Sequence, residues 1–86
     1  MVHTANVILR LPAVLSQSGA SRSTLYLRIS QGLWSTPIKI GPRAVGWPAS
    51  EVSTINAARI AGQSDAEIRA LVGQLEAARK TAFPSL

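Results

Sequence analysis

The chain has no cysteine among its 86 residues, which excludes disulfides and thiolate metal centres and fits an intracellular setting. Its one histidine, His3, lies close to the N-terminus and has no second imidazole to work with. The acids number only four, Glu51, Asp65, Glu67 and Glu76, each at a cap or on a helical pattern with basic neighbours. No pair of them sits where burial or a like charge would shift a pKa, so general acid–base chemistry has no candidates. Gly41-Pro42-Arg43 lacks the Lys-Ser ending and the strand-to-helix context of a nucleotide-binding loop. No catalytic residue, metal ligand or cofactor site is expected, and the chain is read as a non-enzyme. Apolar runs of about 18 residues are absent, as is a signal-peptide pattern, so the expected location is the cytoplasm, without a membrane partner.

The charges that are present are unevenly placed. Nine Lys and Arg face the four acids, and every acid lies beyond residue 50. Arg10, Arg22, Arg28, Lys39 and Arg43 therefore form a front half with no negative charge, while Arg59, Arg69, Arg79 and Lys80 balance the acids behind it. A polyanion is the natural partner of such a half. An anionic membrane usually selects one basic amphipathic helix, whereas these cations are spread over several elements, which favours nucleic acid.

Ser18 to Gly32 has the form of the turn and second helix of a helix-turn-helix. Pro12 suits the first turn of a preceding helix in which Leu11, Val14 and Leu15 face inward, and Gly19 suits the left-handed residue that ends it. Ser21 is a good N-cap for the second helix, where Leu25 and Ile29 fall four apart on one face. Arg22, Ser23, Thr24, Tyr26 and Arg28, with Ser21 itself, are the candidates for reading DNA from that helix. Arg22 leads them, because a guanidinium in the first turn matches guanine or phosphate bidentately.

Strand signals bracket this unit. Val7, Ile8 and Leu9 form a short apolar run ahead of Arg10, and Ile38-Lys39-Ile40 and Val45-Gly46-Trp47 alternate around a turn at Gly41-Pro42-Arg43. The result is a small hairpin with Lys39, Gly41 and Arg43 near its tip, placed where a wing would reach the phosphate backbone or the minor groove. Trp47 is expected in the core, and the loop holding Trp34 follows no pattern. A third helix should start between Pro48 and Ser50 and run toward Ala61, with Val52, Ile55, Ala58 or Arg59, and Ile60 marking its inner side. Ser64-Asp65-Ala66-Glu67 is a capping box opening a last helix striped by Ile68, Leu71, Val72 and Leu75. Asp65 with Arg69 and Glu76 with Lys80 are acid-before-base pairs, each worth about 0.3 kcal/mol. The stripe either packs on the domain itself or joins protomers, and Pro84 ends any helix.

From Ile8 to about Ile60 the chain resembles the AlpA family of prophage-encoded regulators, small winged-helix proteins related to the MerR-type fold and to phage excisionases. The resemblance is carried by Leu9-Arg10-Leu11-Pro12-Ala13-Val14-Leu15, Gly19-Ala20-Ser21-Arg22-Ser23-Thr24-Leu25-Tyr26, Pro37-Ile38-Lys39-Ile40-Gly41-Pro42-Arg43-Ala44-Val45-Gly46-Trp47 and Ser50-Glu51-Val52. It implies a winged helix-turn-helix whose second helix enters the major groove, in a transcriptional regulator or recombination directionality factor. The chain departs from the family at Leu27, where a basic residue is common, and at Trp34-Ser35-Thr36, where members often carry Phe-Pro and a basic residue.

The sequence thus predicts a mainly α protein with a small β-hairpin wing, a DNA-binding domain over 6–61 and a helical appendage over 64–82. Its expected partners are double-stranded DNA, a second copy of itself as a dimer or side-by-side array, and a site-specific recombinase. The competing reading is a protein-binding adaptor acting through the last helix.

Overall fold

The computed structural model describes residues 6–81; His3 and Pro84 lie outside them. Strand β1 (Ile8–Arg10) passes directly into helix α1 (Leu11–Ser18), with Pro12 in the first turn, where a missing amide leaves no bond unmade. Gly19 ends α1 at φ 70°, a conformation that costs a side-chain-bearing residue roughly 1 kcal/mol, and its amide donates to the Leu15 carbonyl at 3.0 Å. Helix α2 (Arg22–Ser30) follows after a short turn, capped by the Ser21 hydroxyl, which accepts the Thr24 amide at 3.2 Å. These two helices and the turn form the helix-turn-helix.

Strands β2 (Ile38–Gly41) and β3 (Ala44–Pro48) make the hairpin, and β1 pairs with the other side of β3, giving the antiparallel order β1-β3-β2. The first strand begins one residue later than the apolar run predicts. Arg10 belongs to it, opposite Gly46, whereas the Val7 carbonyl accepts the Ala49 amide at 2.8 Å. Gly46 is fixed by crowding in this central strand, since a Cβ there would stand 2.5 Å from Ile8 Cγ2 and 3.0 Å from the Leu9 carbonyl oxygen.

Helix α3 (Ala49–Ile60) and helix α4 (Asp65–Thr81) complete the winged helix-turn-helix. The capping box forms, the Ser64 amide donating to Glu67 Oε1 at 2.8 Å and the Glu67 amide to Ser64 Oγ at 3.2 Å. Val14, Leu25, Leu33, Trp34, Trp47, Val52, Ile55, Ala58, Ile68 and Val72 form one buried cluster, so α4 shares a core with the helices and strands that precede it. None of the described helices is long and apolar enough to cross a membrane.

Two expectations are corrected here. Ile60 is 87% exposed, because it falls on the outer side of α3, away from the buried Ile55 and Ala58. The pairs Asp65/Arg69 and Glu76/Lys80 do not form among the described residues. Arg69 Nε instead donates to the Gln31 carbonyl, and Glu76 accepts the Thr36 amide, both at 2.8 Å. Of the two readings left open for the stripe of the last helix, self-packing or oligomerisation, Ile68, Leu71, Val72 and Leu75 take the first in that they face the chain's own interior. Ile68 and Val72 are 1% and 4% exposed, and Leu71 and Leu75 pack on the same cluster. A chain this small has little apolar area to spare, and the stripe closes its core.

Candidate nucleic-acid interface

Burial of Leu25 and Ile29 decides which way α2 turns. With those two inward, the exposed residues of the helix are Arg22, Ser23, Tyr26, Leu27 and Ser30, one continuous stripe at the spacing of a helix face. Arg22, Ser23 and Tyr26, together with the capping Ser21, line an open hollow of about 740 Å³ at the N-terminal end of α2. Free backbone amides and the positive end of the helix dipole meet there, an arrangement suited to an anion. The Arg22 guanidinium lies 6.0 Å from the Tyr26 ring centroid, so the ring helps to hold the cation over the hollow.

Tyr26 also ties the reading helix to the wing. Its ring meets Trp47 of β3 edge to face, with centroids 6.5 Å apart. Trp47 is fully buried, and its indole N–H donates to the Ser35 carbonyl at 2.8 Å. Lys39 on β2 and Arg43 in the hairpin turn are exposed, and Gly41 is half-buried beside a register shift in the strand pairing. Thr24 is half-buried; its hydroxyl accepts from Ser21 Oγ at 2.9 Å within the cap.

Arg28 does not share the outward stripe. It is half-buried, and at roughly 100° of rotation per residue it sits about 160° round the helix from Ser30. Leu27, which is absent from the candidates drawn from the sequence, does lie in the stripe and is 55% exposed. Counting residues around the helix from Leu25 and Ile29 is enough to find it.

Electrostatically, the two halves of the chain are distinct. Among the described residues the only ion pair joins Arg79 and Glu51, at 2.7 Å, and both belong to the back half. Arg10, Arg22, Arg28, Lys39 and Arg43 have no acidic partner there. Glu51, 5% exposed, takes a forked pair of bonds from Arg79 Nε and Nη2 at 2.8 and 2.7 Å. Nη2 also donates to the Thr36 carbonyl at 2.7 Å. The bond to Glu51 raises the Arg79 pKa above its ordinary value, against the opposing effect of burial. No group of three His, Cys, Asp or Glu side chains gathers among the described residues in a way that would hold a metal ion.

Two comparisons with known proteins find relatives. The family model described as Prophage CP4-57 regulatory protein (AlpA) matches residues 7–60, which spans β1 through the end of α3. The uncharacterized protein ORF88 of Enterobacteria phage P4 is 40% identical over 60 residues, covering 70% of this chain and 68% of that protein. No solved structure matches significantly.

Proposed function

The chain belongs to the AlpA family of prophage regulatory proteins, and from that premise we propose that it binds double-stranded DNA sequence-specifically on behalf of a prophage or other mobile element. Helix α2 enters the major groove with Arg22 foremost, Ser23 and Tyr26 beside it, and the amides of its first turn on phosphate. Lys39 and Arg43 of the wing reach the flanking backbone. The protein acts as a transcriptional regulator, as an excisionase-like recombination directionality factor, or as both. The observation that carries this reading is the set of exposed cations without acidic partners, arranged beside a helix face that bears no acid.

The adaptor reading finds no comparable support, since its intended surface on α4 is interior. A selection from random duplexes, followed by titration at two salt concentrations, tests the proposal. Enrichment of one sequence, with affinity falling steeply as salt rises, is the expected result. Arg22→Ala should then weaken the selected duplex by about 1–3 kcal/mol and relax preference at one position. Equal affinity for all sequences, or none for any, would overturn the proposal. Footprints on the element's own DNA separate the two roles: one site over a promoter marks a regulator, and several adjacent sites with bent DNA mark an excisionase.

A further inference from the structure

Leu27 occupies the middle of the outward stripe of α2, four residues after Ser23 and three before Ser30, and belongs neither to the core cluster nor to the partly buried hydrophobic residues packed on it. A lone exposed leucine on a protein surface is ordinary. This one lies on the face that also carries Arg22, in a half of the chain whose cations lack acidic partners. Its side chain has no donor or acceptor, so against phosphate it gains nothing. In the major groove the one apolar group on a base edge is the C5-methyl of thymine.

Building on the DNA-binding reading, we propose that Leu27 is a specificity-determining residue that recognises a thymine methyl in the major groove. It stands about 7.5 Å along the helix axis from Arg22, so the thymine lies about two base-pair steps from the base or phosphate that Arg22 takes. The outward stripe has one charge and two large apolar-bodied side chains, Tyr26 and Leu27, and its discrimination therefore depends on shape and methyl contact as well as on hydrogen bonds.

The test uses the full chain and the duplex recovered by selection. Each thymine is replaced in turn by deoxyuracil, which removes the methyl and leaves base pairing intact, and dissociation constants are measured for the native protein and for Leu27→Ala. One position should weaken the native protein about fourfold, the worth of one buried methyl group, and leave Leu27→Ala unaffected. Leu27→Met should restore sensitivity at that position. Because Leu27 is exposed, the melting temperatures of both variants should match the native one. If no thymine is sensitive, or if the sensitive ones respond equally in Leu27→Ala, the inference is wrong although DNA binding stands. If no duplex is enriched at all, the binding reading fails and this inference with it.

Discussion

The front of the molecule, from β1 through the wing, and the back, made of α3 and α4, carry similar numbers of cations and use them in opposite ways. Behind, Arg79 is forked onto Glu51 and Thr36, Arg69 holds the Gln31 carbonyl, and Glu76 holds the Thr36 amide. The exceptions are Arg59, whose Nε and Nη2 are buried without an acceptor among the described residues, and Lys80, which is exposed and has no acidic partner among them. In front, Arg22, Lys39 and Arg43 are exposed and have no acid to neutralise them. Charge consumed inside the chain sets its shape, and charge left over selects what it meets. Among the described residues only Arg79 behind is neutralised by an acid, and Arg69 is held by a backbone carbonyl instead.

Removing α4 breaks the comparison most severely. Truncation after Gly62 deletes Ile68 and Val72 from the core and strips Glu51 of its partner, so cooperative thermal unfolding by circular dichroism should disappear. Arg79→Ala keeps the helix but strands a buried carboxylate, and urea denaturation should show a loss of about 3 kcal/mol. Gly46→Ala forces a methyl into Ile8 and the Leu9 carbonyl, with an expected loss of about 2 kcal/mol in the same assay. Arg43→Ala probes the other half and should leave stability within about 0.5 kcal/mol of native. Its effect should fall instead on DNA affinity, lowering the slope of log affinity against log salt by about 1. A back-half change that altered the salt slope while the fold survived, or a front-half change that melted the fold, would erase the division.

What the sequence reveals here is whatever is decided within a few residues. Gly19 and Ser21 mark the turn of the helix-turn-helix, and Ser64 with Glu67 marks the start of α4, because caps are short-range contacts. The hairpin is legible for the same reason, since alternation and a tight turn sit side by side. Partners distant in the chain are not legible. Glu51 and Arg79 are 28 residues apart, and Thr36 and Glu76 are 40 apart. Local pairing rules assign Glu76 to Lys80, yet a backbone amide brought close by folding claims it. Trp34 shows the same limit, being 1% exposed in a loop without a periodic pattern. On the outward face of α2 the signal is local: counting from Leu25 and Ile29 moves Arg28 aside and brings Leu27 forward, although residue type alone favours the arginine.

The edge-to-face contact between Tyr26 and Trp47 has an optical consequence. Both indoles are shielded from water, Trp34 at 1% and Trp47 at 0% exposure, so the folded protein should emit at the short-wavelength end of the tryptophan range. Trp47 is also one ring removed from the helix face proposed to meet DNA. A ligand that shifts the Tyr26 ring changes the surroundings of a buried fluorophore without touching it. The native chain thus holds a label-free reporter of that face, and Trp47 supplies the signal from inside the fold.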